Sequence, residues 1–366
     1  MRTFLHWLTT GVLIMVFTTH ASAQNTRFQE VLRLPIANAY DIALSPDGSR
    51  IAVLRYTTSD QAIVELAIYA VQTGQQQAVL HTFPAQQLCF YFDKPSNCLS
   101  WQADFLIANV GNGEVWVWQT DQAFEKRYAL SGTAFAYHAP TGRLALVEAR
   151  TPADPAERYA SNSSKITLYD LVSGQAIAHY DAGKQIGSRF FDQISLLAWI
   201  PNGERLLISD YYYNCIVKIT EMGIEDSGVA FRADSAMQAI GWLDDGTILT
   251  VENTGFLHFW NAASGQRQRE VYLKGIAATF SPDGRWVAAL DKRESPLDAP
   301  DPEVVENVVK VFALPEADLV EKLPYTPSSN IEARRALQLT FSADGQYLAA
   351  IIDESNPTLY VWAARQ

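Results

Sequence analysis

The chain has 366 residues, of which 48% are hydrophobic and 19% are charged. This composition supplies enough apolar side chains for an extended core, and it excludes a disordered protein. The formal net charge is -12 at pH 7, so the surface repels phosphate backbones and anionic lipid headgroups. We therefore expect neither nucleic acid nor a membrane surface as a partner, whereas basic or neutral ligands remain.

Residues 1–23 have the form of a cleavable signal peptide. Arg2 provides a weakly positive start, residues 8–17 are mostly apolar, and residues 21–23 have the small-x-small pattern of a cleavage site. The alternative, a membrane anchor, is disfavoured because the apolar stretch is far shorter than the roughly 20 residues that span a bilayer. We expect a mature chain that begins at Gln24, carries a net charge of -13 because Arg2 is lost, and is exported to a periplasm or secreted.

The three cysteines all lie in the mature part of the chain. Cys89 and Cys98 bracket a short stretch with turn-forming residues, which predicts a disulfide in an oxidising compartment. Cys215 begins a β-branched run and is expected to be a buried, unpaired thiol. A zinc site is not predicted, since the four mature histidines are scattered singly, and we expect no cofactor. These histidines are His81, His138, His179 and His258.

A repeated segment reveals the organisation of the mature chain. FSPDGRWVAALD at 280–291 is nearly repeated by FSADGQYLAAIID at 341–353. Turns of this type, each between two short apolar runs, recur along the chain, and Asp-Gly and Asn-Gly turns are strong β-hairpin signals. The clearest six are at residues 46–48, 140–142, 201–203, 244–246, 282–284 and 343–345.

A seventh unit is degenerate. Between Gly48 and Gly142, the stretch CLSWQAD at 98–104 precedes two further apolar runs and has a turn without glycine near residues 102–104. Most units continue into a third and a fourth strand. Four strands in each of seven units of about 40–60 residues is the pattern of an all-β, seven-bladed β-propeller, which we assign to residues 24–366 as a single domain.

The two ends of the chain support this interpretation. The last unit stops after its third strand, in TLYVWAARQ at 358–366, and therefore lacks a fourth strand. The segment RFQEVLRLP at 27–35 is strand-like and belongs to no unit. If residues 27–35 pair with residues 360–362, they complete the last blade and close the ring, which leaves no long exposed edge.

The repeats resemble WD40 repeats and their bacterial propeller relatives over nearly the whole mature chain. The resemblance lies in the SPDG and SADG turns and in third-strand endings such as 168–170 with Ser173-Gly174 and 259–261 with Ser264-Gly265. The Trp-Asp pair is retained only as Tyr169-Asp170, and the Gly-His dipeptide is absent, so the Asp–His network of typical repeats is not expected. The resemblance implies protein binding through the face formed by second-to-third-strand and blade-to-blade loops.

Three loops of that face are candidate contact regions. The first contains Tyr211, Tyr212 and Tyr213, whose rings with polar tips suit a contact surface. The alternative is that alternate tyrosines pack between blades. The second is the insertion at 150–164, in which Arg158 and Tyr159 are the most contact-prone residues.

The third loop, residues 292–307, contains a loose acidic cluster. It is either a solvated loop or a cation site. The insertion at 150–164 has a similar alternative, in which it is a solvated loop and not a contact region. The acids of the cluster are Asp298, Asp301, Glu303 and Glu306.

Catalytic signals are weak. The sequence contains no GxSxG, no HExxH and no phosphate-binding glycine loop. Acids near unit ends, Asp93, Asp192 and Asp210, could gather in the channel or simply cap turns. We therefore expect a non-catalytic monomer that binds a protein or peptide. The alternative is a propeller enzyme, lactonase-like or hydrolase-like, with a small-molecule or metal site in the central channel.

Overall fold

A computed structural model gives the fold of this chain. It describes residues 27–57, 63–84, 98–111, 113–121, 123–150, 161–182, 194–210, 212–221, 223–291, 307–326, 336–352 and 357–365. The strands form seven four-stranded antiparallel sheets, which confirms the predicted seven-bladed β-propeller. All six predicted Gly-containing hairpins, and the degenerate hairpin at residues 98–111, join the first two strands of a blade.

The strands are numbered in chain order. Strand β1 spans Phe28–Pro35. Blade 1 contains β2 (Ala39–Leu44), β3 (Arg50–Tyr56), β4 (Ile63–Ala70) and β5 (Gln76–Pro84). Blade 2 contains β6 (Leu99–Gln102), β7 (Phe105–Gly111), β8 (Glu114–Gln119) and β9 (Glu125–Ser131). Blade 3 contains β10 (Ala134–His138), β11 (Arg143–Arg150), β12 (Ser161–Asp170) and β13 (Gln175–Asp181), with a 3-10 turn at Ala139–Thr141.

The remaining blades follow the same order. Blade 4 contains β14 (Leu196–Trp199), β15 (Arg205–Asp210), β16 (Tyr213–Thr220) and β17 (Gly223–Arg232). Blade 5 contains β18 (Met237–Trp242), β19 (Thr247–Glu252), β20 (Phe256–Asn261) and β21 (Arg267–Tyr272). Blade 6 contains β22 (Gly275–Phe280), β23 (Trp286–Asp291), β24 (Val308–Ala313) and β25 (Asp318–Pro324). Blade 7 contains β26 (Ala336–Phe341), β27 (Tyr347–Ile352) and β28 (Thr358–Ala364).

Strand β1 completes blade 7 and closes the ring, as predicted. It pairs antiparallel with β28, so that Glu30 lies opposite Trp362 and Arg33 opposite Tyr360. Phe28 is buried in the core of this blade. The amino-terminal strand and the carboxy-terminal strand of the described chain are therefore held together by a continuous hydrogen-bonded sheet.

The repeated Ser-x-Asp-Gly turn has a specific hydrogen-bond pattern. In blade 6, the Ser281 hydroxyl donates to Asp283 at 2.6 Å and accepts from the backbone N–H of Trp286 at 2.9 Å. Gly284 supplies the positive φ that the turn requires. The same pattern of bonds occurs at Ser45 in blade 1 and at Ser342 in blade 7. The chain repeats the sequence because each copy makes the same turn.

Gly284 also packs against the preceding blade, and this contact can be tested. A Cβ added at Gly284 would lie 2.6 Å from the carbonyl oxygen of Trp242, whereas one added at Gly246, in the equivalent turn of blade 5, would meet nothing within 4 Å. Both glycines have positive φ. We expect Gly284→Ala to lower the free energy of unfolding in urea by about 2–4 kcal/mol and Gly246→Ala by about 1–2 kcal/mol. Equal losses would contradict the inter-blade contact.

The propeller has two unlike faces. The first strands contact one another around the channel, whereas fourth strands such as β21 are largely exposed at the perimeter. First-to-second and third-to-fourth connections are short turns, and they form what we call the turn face. Second-to-third and blade-to-blade connections lie at the opposite end, which we call the loop face. The long connections, including those between Asp291 and Val308 and between Arg150 and Ser161, all leave from the loop face.

One predicted boundary was wrong. Residues 161–164 were expected to belong to the insertion at 150–164, but they form the start of β12. Asn162 pairs with Ala149 and Ser161 with Arg150, after a register shift in β11. The polar run has little intrinsic strand propensity, so its conformation is fixed by pairing with β11.

Candidate functional site

The predicted tyrosine loop is a tight turn at the loop face of blade 4. Asp210, which ends β15, pairs directly with Tyr213, which begins β16. Tyr212 is 40% exposed, whereas Tyr213 is half-buried beneath the guanidinium of Arg232, 5.4 Å from its ring centroid. Tyr212 therefore suits the contact interpretation, while Tyr213 also packs against its own blade.

Several other predicted residues lie outside the described part of the chain. These are Tyr211, Arg158, Tyr159, the acidic cluster of 298–306, Asp93, Asp192 and the leader at 1–23. Cys89 is also outside it, so the pairing of Cys89 with Cys98 stays a prediction. Cys98 itself is buried at the start of blade 2. Cys215 is buried and unpaired, as predicted, and burial raises the pKa of its thiol.

The connection between blades 4 and 5, residues 233–236, is fixed by Glu252 at the end of β19. The Glu252 carboxylate accepts from the backbone N–H of Asp234 at 3.1 Å and from that of Ser235 at 2.9 Å. It also accepts from the Ser235 hydroxyl at 3.0 Å. Tyr212 is tied to the same connection, because its carbonyl accepts from the N–H of Ala233 at 2.8 Å.

Glu252 is paired with His258 in the interior of blade 5. His258 Nδ1 lies 2.9 Å from Glu252 Oε1, and both side chains are buried. Burial alone would raise the pKa of Glu252, but contact with His258 and the donors from Ser235 and Asp234 outweigh it and lower the pKa. On its other side, His258 Nε2 lies 3.7 Å from the exposed carboxylate of Glu270.

Aromatic side chains pack near Glu252 and His258. Trp260 donates through its indole N–H to the Thr250 hydroxyl at 2.9 Å, and its ring stacks on Phe231 of blade 4 at 4.6 Å. At the loop face, the rings of Phe256 and Tyr272 are 4.9 Å apart. The stacking of Trp260 on Phe231 therefore joins blades 4 and 5 through side chains, whereas the other two contacts lie within blade 5.

We call Tyr212, Tyr213, Phe256 and Tyr272 the aromatic platform. All four residues lie at the loop-face ends of strands in blades 4 and 5 or in the turn between them. Tyr212 contacts one end of the 233–236 connection. On the other side, Glu252 accepts from the backbone of that connection. In the turn that follows Glu252, the carbonyl of Gly255 accepts from the N–H of Leu273 at 3.0 Å. Hydrogen bonds therefore fix the chain on both sides of the platform.

Sequence reasoning identified the tyrosines of blade 4 but not the Glu252–His258 pair or Tyr272. His258 was interpreted as one of several isolated histidines. The sequence contained a sign of this arrangement. His258 and Trp260 are two positions apart on β20 and therefore lie on the same face of the sheet, and Thr250 is opposite His258 on β19. The partners in residues 234–235 come beside Glu252 through the pairing of β18 with β19, in which Met237 lies opposite Glu252.

Asp41 on β2 is a fully buried acid with a raised pKa. Burial raises its pKa to about 7, although three backbone amides donate to it. Asp41 Oδ1 accepts from Ile42 at 2.7 Å, and Oδ2 accepts from Cys98 at 2.8 Å and Leu99 at 3.0 Å. Because both oxygens are occupied, we interpret Asp41 as a bridge between blades 1 and 2.

Asp41 predicts a specific pH dependence of stability. Between its ordinary pKa near 4 and the folded value of about 7, the folded state holds a proton that the unfolded state has released, so stability from this group falls as pH rises. Asparagine does not titrate. From pH 5 to pH 8, the wild type should lose about 2–3 kcal/mol of unfolding free energy relative to Asp41→Asn. Chemical denaturation at several pH values measures this. If the difference in unfolding free energy between the wild type and Asp41→Asn stays constant with pH, the raised pKa of Asp41 is contradicted.

The described residues contain no group of three or more His, Cys, Asp or Glu side chains arranged to hold a metal ion. An open cleft of about 420 Å³ lies between blades 3 and 4 at the turn face, and its lining includes Arg143, Asp170 and Glu221. Among the helical segments described, none has the length and apolarity to cross a membrane.

In comparisons with known proteins, no protein-family model and no curated protein sequence matches this chain.

Proposed function

We propose that this protein is an exported, non-catalytic β-propeller that binds a protein or peptide through its loop face. The observation that carries the proposal is the asymmetry of the ring, in which every long connection leaves from that face while the turn face has only short turns. Loops held by a rigid scaffold are the usual place for recognition. The resemblance of the repeats to WD40 propellers favours the same face.

The aromatic platform supports the location of the contact. Tyr212 is 40% exposed and Tyr272 is 44% exposed, and both lie on the loop face. Tyrosines are enriched at protein interfaces because they combine a large apolar ring with a hydrogen-bonding tip. Export is proposed from the leader-like residues 1–23, and a partner is therefore expected outside the cytoplasm.

Site-specific photocrosslinking tests this proposal. A benzophenone amino acid is placed at Tyr212 on the loop face or, as a control, at Val172, which is 76% exposed on the turn face. Both variants are irradiated in the exported fraction of the host. The proposal expects a discrete crosslinked protein or peptide from position 212 and none from position 172. Crosslinking of the same species from both positions, or from position 172 alone, would refute a loop-face site.

A further inference from the structure

The cleft between blades 3 and 4 lies on the turn face, opposite the face proposed for the partner. Its volume of about 420 Å³ is in the range of small-molecule binding sites. Two very small residues line it, Ala178 on β13 of blade 3 and Gly223 at the start of β17 of blade 4. A Cβ added at Gly223 would lie 3.9 Å from the Cβ of Ala178. The blades therefore meet here through residues that leave room for a ligand.

The lining of the cleft includes residues of both charges that do not neutralise one another. Arg143, at the start of β11, and Glu221, between β16 and β17, have no ion-pair partner among the described residues. Arg143 lies opposite Asp170 in the pairing of β11 with β12, but the two form no ion pair. Asp170 Oδ1 accepts from the backbone N–H of Val172 at 2.8 Å and from that of Ser173 at 3.3 Å, and no described group donates to Oδ2. One guanidinium and two carboxylates are therefore available to a ligand.

Blade 3 also contributes apolar side chains to the lining. Leu168 on β12 is buried, whereas Ile177 on β13 is 48% exposed. An aliphatic group that covered Ile177 would remove apolar surface from water, which stabilises a complex. A few charged groups beside apolar surface are the usual composition of a small-molecule site.

We propose that this cleft binds a small zwitterion with an aliphatic side chain, of the class of free leucine, isoleucine and valine. A zwitterion matches a lining with both signs of charge, whereas a simple anion or cation would leave one sign unpaired. The Arg143 guanidinium binds the carboxylate of the ligand, for which its fork of N–H donors is suited. The carboxylates of Asp170 and Glu221 bind the ammonium group, and the aliphatic side chain packs against Ile177. Because the cleft lies on the turn face, this inference does not rest on the proposed function.

Isothermal titration calorimetry of the protein with L-leucine tests the proposal. We expect a Kd of about 0.1–1 mM, because the cleft is open and the ligand is small. N-acetyl-L-leucine lacks the ammonium group, L-leucinamide lacks the carboxylate and glycine lacks the side chain, so each should bind at least about fivefold more weakly. The first two compounds also imitate the carboxyl and amino ends of a peptide. If either binds as tightly as leucine, the cleft recognises a peptide end and the zwitterion is rejected.

Substitutions locate the binding in the cleft. Arg143→Gln and Glu221→Gln should each raise the Kd for leucine at least about fivefold. Arg127→Gln, at an exposed position of β9 in blade 2, is the matched control and should leave the Kd unchanged. Asp170 is not replaced, because its carboxylate also accepts from the turn at Val172.

Circular dichroism checks that the variants are folded, and the series of ligands on the wild type tests the proposal even if one variant is not. No saturable binding of leucine up to about 10 mM would overturn the inference. Folded Arg143→Gln and Glu221→Gln variants that bind leucine like the wild type would also overturn it.

Discussion

Removal of residues 24–35 is expected to destabilise the propeller more than any single substitution. Strand β1 supplies the fourth strand of blade 7, and the buried Phe28 is part of the core of that blade. Loss of one buried phenylalanine costs about 3–5 kcal/mol, and the truncation also leaves the hydrogen-bonding edge of β28 unpaired. We expect the truncated chain to unfold at a much lower urea concentration and to aggregate.

Two companion experiments isolate the role of ring closure. Phe28→Ala should reproduce about 3 kcal/mol of the loss, whereas Val31→Ala, at a 42% exposed position of the same strand, should change stability by less than about 0.5 kcal/mol. A synthetic peptide of residues 27–35 added to the truncated chain should restore part of the stability. An unchanged denaturation midpoint in the truncated chain would show that the pairing of β1 with β28 does not hold the ring closed.

Glu252→Gln is expected to cause the largest loss among substitutions at the loop face. The amide cannot accept from both Asp234 and Ser235 without presenting an N–H to one donor, and His258 loses its buried charged partner. Leaving buried donors without their acceptor costs about 1–3 kcal/mol, and more when the lost acceptor is charged. We expect a loss of this size in the free energy of unfolding measured with urea at neutral pH.

Glu270→Gln is the matched control for this substitution. Glu270 lies on the other side of His258, but its side chain is 53% exposed, so the loss should be below about 1 kcal/mol. The folded pKa of Glu252 is lowered, so its stabilising effect is present above its ordinary pKa and is lost as pH falls through the folded value. The difference in unfolding free energy between the wild type and Glu252→Gln should therefore decrease below about pH 4. Equal losses for the two variants would contradict the role given to Glu252.

The fold could be predicted from the sequence because its signals are local. The Ser281-x-Asp283-Gly284 turn is specified by residues within a few positions of one another, and copies of it mark the blades. The sequence also predicted ring closure, because the strand-like residues 27–35 belong to no repeat unit and the last unit lacks a fourth strand. The beginning of β12 was misjudged because residues 161–164 become a strand through pairing and not through propensity.

The candidate site was predicted only in part because its contacts join residues that are far apart in the sequence. Tyr212 was visible as part of an aromatic run. Glu252 acquires its role from Ser235, which lies 17 residues earlier in the chain and comes beside it through the pairing of β18 with β19. Asp41 reaches Leu99 across 58 residues. No local pattern predicts such partners, since they depend on strand register and on how neighbouring sheets pack.

The most direct test of the central claim, that the loop face binds the partner, is hydrogen–deuterium exchange of the full chain with and without the species captured through position 212. The account predicts slower exchange in peptides that cover residues 212–214, 232–236, 253–257 and 271–274, with no change in the turn-face hairpins at 45–50 and 281–286. Protection of those hairpins, with the loop-face peptides unchanged, would contradict it.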